Sequence, residues 1–532
     1  MDTLKIRGYD YSPIINGLSD TVIDGHTLTP ENQVEIVKHF LKENNYIKPG
    51  ALEILPSKLD TRKHNILAEY DENSWGGLVG VIYHNNFDFN ERVYNKNIPV
   101  GAPSHDFKVN MEIQIQSRFD KESAGAPGKP YFLSTMLLES QTGFNDKVVH
   151  DKDEIFFDLL LLYVFKEKAK KCAEKGFYKC YRRFERNDDR LKGTIDISRH
   201  IRLNMGLSNG KIAYSYRENT IDNYLNHLIL AAFDRLKRKY PELVNTVYSN
   251  SSNSEFKNLI DILRAKIGFS TIDERILITK NLKPISHPYY IEYDELRKIS
   301  LRILRDEGLT IFDGDSDDTN GLLIYIPTLW ELYLESKLKD KGYTLYIQGL
   351  TQEGAVDANP IKVFNHMDNP TVWKQETYPD YVFESNNKNV GMFMVLDAKF
   401  KPGWGDVIRD KKKMGDLLLN DYTKCIRDMN SVNVHATGVV FPTNIDFGTT
   451  INTVIEHNIS EYNEIDRFYT FPVYVPFSSG DYSTWYDDFS KKLDIIITLI
   501  KGTARIEEDF KKKYLDAIDK AKIQCPILKR VP

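Results

Sequence analysis

The run Val390-Gly-Met-Phe-Met-Val-Leu396 carries no charge and leads straight into Asp397-Ala-Lys399. It is short, apolar and β-prone, which predicts a buried strand. Side chains alternate along a strand, so Asp397 and Lys399 point the same way. Sixteen residues separate Asp380 from Asp397, and Asp380 follows Pro379, a pairing suited to a strand edge or turn. Between them Ser385-Asn-Asn-Lys-Asn389 is a polar turn, and a hairpin closing there brings Asp380 next to Asp397.

Two carboxylates supply the oxygen ligands that a hard divalent cation prefers, Mg²⁺ or Mn²⁺. A lysine two residues beyond the second carboxylate can orient a water, stabilise developing charge, or both. The pattern is that of a PD-(D/E)xK site for phosphodiester hydrolysis, with Asp380, Asp397 and Lys399 as the catalytic set and Asp380 and Asp397 holding the metal. An ordinary strand-end ion pair is the competing reading. Acid-x-Lys also occurs at Glu255-Phe-Lys257 and Glu335-Ser-Lys337, where no Pro-Asp precedes it. Upstream, Leu329, Leu332, Tyr333 and Leu338 predict a helix packed on the sheet, with a stop near Gly342. On it Glu331 is either a third metal carboxylate or the closing residue of a capping box, Thr328-x-x-Glu331.

Several ordered segments around this site resemble the McrC nuclease subunits of McrBC-type, modification-dependent restriction systems. Leu329-Trp330-Glu331 is similar to their Leu-Phe-Glu segment, and the Pro-Asp and Asp-Ala-Lys pair follows in the same order. Tyr181 to Asp196, ending Leu191-Lys-Gly-Thr-Ile-Asp196, resembles an aromatic-rich segment running into Leu-Arg-Gly-x-Ile-Asp. Glu218-Asn-Thr-Ile-Asp-Asn-Tyr-Leu-Asn226 resembles a tract that follows it. The resemblance spans roughly residues 75 to 505. It departs from the family where many members carry a Gln with a Tyr one turn later: this chain has Lys424 and Asp428. Lys424 and Arg427 either touch phosphate or form a solvated helix face.

The resemblance implies a separate motor, a McrB-like AAA+ GTPase hexamer. It also implies that this chain docks on the motor, stimulates nucleotide hydrolysis and cuts double-stranded, modified DNA. Consistent with a separate motor, the sequence contains no GxxxxGK[ST] loop. By analogy the coupling module is residues 61 to 285, with Arg190, Lys192 and Gly193 as the docking residues. The alternatives are an autonomous repair or structure-specific nuclease, and a non-catalytic scaffold that activates the GTPase.

The 532 residues allow several domains, and 41% hydrophobic with 12% aromatic content indicates globular ones. No apolar stretch is long enough to span a membrane and the start lacks a signal-peptide core, so a cytoplasmic location is expected, with no membrane contact. Cys172, Cys180, Cys425 and Cys525 are too scattered for a disulfide framework or a Cys-x-x-Cys metal site. A net charge of −5 argues against coating DNA by bulk electrostatics. Local positive stretches must serve, and Lys401, Arg409, Lys411, Lys412 and Lys413, beside the expected metal site, are the candidate DNA contacts; a solvated loop-helix junction is the alternative.

The expected architecture is multidomain α+β. Residues 1–60 read as an irregular or mixed extension and 61–150 as a β-rich partner-docking module, with strands at Leu78–Tyr83, Val109–Gln116 and Tyr131–Leu137. Residues 151–310 read as a helical region, 311–321 as an acidic linker, 322–505 as a C-terminal α/β PD-(D/E)xK nuclease domain with a mixed sheet flanked by helices, and 506–532 as a helical tail.

Overall fold

The computed structural model describes residues 2–16, 18–43, 52–55, 66–68, 71–99, 101–121, 128–142, 154–205, 210–241, 244–245, 248, 254–268, 272–305, 319–347, 361–362, 376–377, 379–409, 416–447, 455–460 and 463–524. These form mixed α and β structure with several sheets and, among the described residues, twelve α-helices. Two compact units share the chain. One joins Met1–Asp153 to Phe312–Pro532, and the other is Glu154–Ile311.

The larger unit contains a five-stranded sheet in the order Thr3–Tyr9, Asp106–Gln116, Leu78–Asn90, Thr319–Tyr325 and Leu52–Leu55. In Asp106–Gln116, Phe107, Val109, Met111, Ile113 and Ile115 are buried at every second position, which fixes the register of its neighbours. Residues 1–60, expected to be an irregular or mixed extension, supply both edge strands, Thr3–Tyr9 pairing parallel with Asp106–Gln116 and Leu52–Leu55 pairing parallel with Thr319–Tyr325, and the helix Pro30–Glu43. The acidic stretch 306–318 lies outside the described residues. Thr319–Gly321, expected in a linker, belong to the fourth strand, which pairs antiparallel with Leu78–Asn90.

One predicted strand is a helix. Tyr131–Thr142 is α-helical, not extended over Tyr131–Leu137. The segment Tyr131 to Leu137 is buried on every side, so it lacks the alternation of a half-buried strand, and its first turn is capped: the Asp120 carboxylate accepts the N–H groups of Phe132 at 2.8 Å and Leu133 at 3.4 Å.

The same unit holds a six-stranded mixed sheet, ordered Tyr343–Ile347, Tyr381–Ser385, Met392–Ala398, Ala436–Thr443, Asn463–Tyr474 and Ile455–Ser460. The Tyr381–Ser385 and Met392–Ala398 strands form the antiparallel hairpin that the polar turn predicts, and Met392–Ala398 then pairs parallel with Ala436–Thr443. The helix Asp416–Ser431 covers this centre: Met429 packs with Val382, Val395 and Val434, and Leu418 and Cys425 pack with Trp404, Val439, Phe441 and Phe468. Past the sheet, one helix runs unbroken over Tyr482–Gln524, through the boundary expected near residue 505.

The second unit packs the helices Glu154–Lys175, Tyr224–Lys239, Ser254–Ile267, Glu274–Lys280 and Ile291–Arg305. Expected to be helical, it also carries a three-stranded antiparallel sheet, Thr194–Ile195, Ile212–Thr220 and Cys180–Asp188, with the short helix Ile197–Asn204 beside it. The nine-residue pairing of Ile212–Thr220 with Cys180–Asp188 places Phe184 on Tyr216, their rings 5.4 Å apart.

Candidate active site

The hairpin puts Asp380 one residue beyond the Tyr381–Leu396 pair, so it faces Asp397 across the ladder. A hydrogen bond locks it there: the Ala398 N–H donates to Asp380 Oδ2 at 2.7 Å. Lys399 N–H donates to the Val440 carbonyl at 2.9 Å, extending the parallel ladder just past Ala398. Val395 and Asp397 share one face of the strand, and that face meets the helix Asp416–Ser431.

Asp397 is 1% exposed, and each of its oxygens holds a lysine. Lys399 Nζ pairs with Oδ2, while Lys424 Nζ lies 2.7 Å from Oδ1. Burial pushes the Asp397 carboxyl up, but the two ammonium groups outweigh it and hold the group below the usual carboxylate range. The same pairing acts in reverse on the lysines. Burial lowers both, yet Asp397 and Asp380 more than offset this and hold both ammoniums above their ordinary range. Asp380 goes the other way, pushed well up by burial and by the Asp397 and Glu331 carboxylates beside it.

Glu331 projects from the helix Ile326–Leu338, raised to about 7 by burial and then by Asp397. Its helix is pinned in place by Tyr381, whose hydroxyl donates to the Glu331 carbonyl at 2.6 Å, and by buried Trp330, whose Nε1 donates to the Val440 carbonyl at 3.4 Å. The capping-box reading does not hold. The N-cap residue is Tyr325, with no side-chain cap hydrogen bond, and Pro327 sits in the first turn. Thr328 is therefore already inside the helix, and Glu331 is not used as a cap.

The helix Asp416–Ser431 contributes four further groups. Asp421, Lys424, Cys425 and Asp428 recur at i, i+3, i+4 and i+7, which lines them along one face. Asp421 Oδ1 is 3.9 Å from Lys399 Nζ and 3.3 Å from Lys401 Nζ. The Cys425 thiol, pushed well up by burial and by Asp397, points at Asp397 Oδ2 from 3.8 Å as a neutral donor. Spacing around Asp397 alone does not find this face. The polar stripe between Leu418, Tyr422, Ile426 and Met429 is the signal that does.

Among the described residues, no group of three or more His, Cys, Asp or Glu side chains is arranged to hold a metal ion. The donor set is two carboxylates, with Glu331 in electrostatic reach. Two carboxylates still suit Mg²⁺, which keeps several waters and is usually held by one or two protein carboxylates.

Lys401 joins the cluster through Asp421, Arg409 ends the helix Trp404–Arg409, and Lys411, Lys412 and Lys413 lie outside the described residues. In the second unit Lys192 pairs with Glu218 at 3.1 Å and lies 4.4 Å over the Tyr216 ring. Gly193 has φ +108°, and a Cβ there would stand 2.6 Å from the Ser215 carbonyl oxygen, so this turn requires glycine. The Arg190 N–H donates to Asp188 Oδ1 at 3.2 Å.

Two contacts from Arg118 hold the segment after Lys399, and a third anchors that arginine on the N-terminal side. Buried Asp10 accepts from Arg118 Nη1 at 2.6 Å, Arg118 Nη2 donates to the Phe400 carbonyl, and the guanidinium lies 4.6 Å over the Phe400 ring. Asp10 thus reaches the Phe400 segment through Arg118.

Residues 102–416 match the family model described as McrBC 5-methylcytosine restriction system component. This chain belongs to that family. The match includes Glu331, Asp380, Asp397 and Lys399 and ends before Lys424. Among solved structures, this McrBC-family chain is similar to a refined half-complex from a tetradecameric assembly of Thermococcus gammatolerans McrB AAA+ hexamers with bound McrC. Identity is 12%, coverage is 92% of this chain and 100% of that chain, and the TM-score is 0.36. The cryo-EM structure of the Thermococcus gammatolerans McrBC complex is similar at 13% identity, over 65% of this chain and 90% of that chain, with a TM-score of 0.24. No curated protein matches this chain.

No helix among the described residues is long and apolar enough to cross a membrane.

Proposed function

We propose that this McrBC-family chain is the DNA-cutting subunit of its restriction system, a PD-(D/E)xK endonuclease that works with a separate McrB-like AAA+ GTPase hexamer. The observation that carries the reading is the convergence of Asp380, Asp397 and Lys399, with the Ala398 N–H fixing Asp380 at 2.7 Å. Family membership supplies the restriction context.

Asp380 and Asp397, with Glu331 as a further oxygen donor, would hold a divalent cation, Mg²⁺ or Mn²⁺. When bound, it would neutralise phosphate charge and lower the pKa of water. Asp397 is ready for this role because its lysine partners keep it ionised. Lys399 keeps its proton for the same reason and serves as the fixed positive charge beside the reacting phosphate. It also orients the attacking water. Lys401, Arg409 and Lys411 to Lys413 contact the DNA backbone, positioning the duplex without reading its sequence. Arg190, Lys192 and Gly193 form part of the motor-docking surface on the second unit.

The test is reconstitution with the AAA+ component on methylated and unmethylated DNA, with GTP or ATP. The wild type is expected to cut methylated DNA only with the motor and nucleotide. Asp380→Ala is expected to lose cutting by about 10³-fold, while still stimulating nucleotide hydrolysis. Undiminished cutting by Asp380→Ala would overturn the assignment. Cutting by the isolated chain would instead favour an autonomous nuclease.

A further inference from the structure

Lys424 occupies the place between the two carboxylates. Its Nζ is 2.7 Å from Asp397 Oδ1 and 3.8 Å from Asp380 Oδ1, so a single ammonium spans the pair. Lys399 does not do this. Its ammonium takes the other oxygen of Asp397, and its next carboxylate is Asp421, at 3.9 Å, on the opposite helix.

We propose that Lys424 is a built-in counter-cation of the Asp380–Asp397 pair, and that lysine and divalent cation are alternative occupants of the same position. The proposal rests on reading that pair as a metal site. An ammonium and a divalent ion cannot share one carboxylate oxygen without strong Coulomb repulsion. Without the lysine, two adjoining buried carboxylates would face each other with a single ammonium, Lys399, at the far oxygen of one.

The helix offers Lys424 somewhere to go. Asp428, one turn along and 1% exposed, has its Oδ2 3.7 Å from the same Nζ. A rotation of the lysine side chain toward Asp428 clears the position between Asp380 and Asp397 while keeping the charge paired. Lys424 is 28% exposed, so the displaced ammonium also borders solvent, where a DNA phosphate would arrive. Loading the site and freeing a positive charge beside the substrate are then one event.

The experiment measures Mn²⁺ binding to the full-length chain by calorimetric titration, without DNA or motor. Variants are Lys424→Met, Lys424→Gln and Asp397→Asn; the glutamine keeps a hydrogen-bonding group between the carboxylates should the methionine variant not fold. Competition predicts that removing the charge tightens Mn²⁺ binding by about tenfold or more, and that the Mn²⁺-induced rise in melting temperature exceeds that of the wild type. Asp397→Asn should lose binding. If Asp397→Asn loses binding but both Lys424 variants bind Mn²⁺ as the wild type does, or more weakly, the counter-cation role is wrong and the metal site stands. If neither the wild type nor the Lys424 variants bind Mn²⁺, both the inference and the metal site fall.

Discussion

Asp397 sits where a strand, a hairpin partner and a helix meet, and its two lysines are the reason it stays charged while buried. Removing it takes from both ammonium groups their closest carboxylate and leaves only longer pairings, Lys399 with Asp421 at 3.9 Å and Lys424 with Asp380 and Asp428 at 3.8 and 3.7 Å. Asp397→Ala is therefore expected to destabilise the chain by roughly 3–5 kcal/mol, measured by urea unfolding; a loss near zero would mean that the lysines find other partners. Asp380, Asp397 and Lys399 were legible as residues because a short strand and a turn fix their separation locally. Lys424, Asp421 and Asp428 were not legible as a constellation, because their approach depends on how a helix beyond the hairpin lies across the sheet. The alternative role for Glu331 failed on a single backbone fact, the start of its helix at Ile326 rather than at Thr328.

At the scale of elements, the helix Tyr131–Thr142 shows how capping overrides a β-prone appearance. Asp120 receives two N–H groups of its first turn, and burial pushes the Asp120 carboxyl up to about 8, although those N–H groups work against the rise. An acid raised in the folded state stabilises fully below its unfolded pKa, and that contribution is lost as pH climbs through the folded value. Asp120→Asn, which keeps an acceptor for the helix but cannot ionise, should thus gain stability relative to the wild type as pH rises from about 4 to about 8, and by a constant amount above that. Chemical denaturation across this range checks it; a gap that does not change with pH would refute the assignment. The strand Met392–Ala398 needed no such correction. An uncharged β-prone run closed by a polar turn allows few alternatives, whereas Tyr131–Leu137 has apolar residues that fit either period over so short a window.

At the scale of the whole molecule, the first sheet and the site sheet are one unit although the second unit interrupts them in sequence. Arg118 is the clearest strut between them, since it binds Asp10 on one side and the Phe400 carbonyl on the other. Under the proposed function, Arg118→Met is expected to lower the cutting rate by about 10²-fold through misplacement of Lys399, with DNA affinity little changed. Unchanged turnover would leave Arg118 a purely structural group. The second unit is contiguous in sequence, so residues 154–311 produced alone should unfold cooperatively, as followed by circular dichroism in urea. A broad, non-cooperative transition would show that it depends on the rest of the chain.

The local order of residues determined the hairpin, the shared side of Asp397 and Lys399 and the site helix, because each depends on spacing within a few tens of residues; the family resemblance rests on the order of several such segments along the chain. Tertiary structure alone decided that residues 1–60 supply both edge strands of the five-stranded sheet, that Thr319–Tyr325 pairs inside that sheet, and that Lys424 stands between Asp380 and Asp397. Those outcomes join residues far apart in the chain. Their energies come from burial and charge pairing between elements, which periodicity within any one element does not encode.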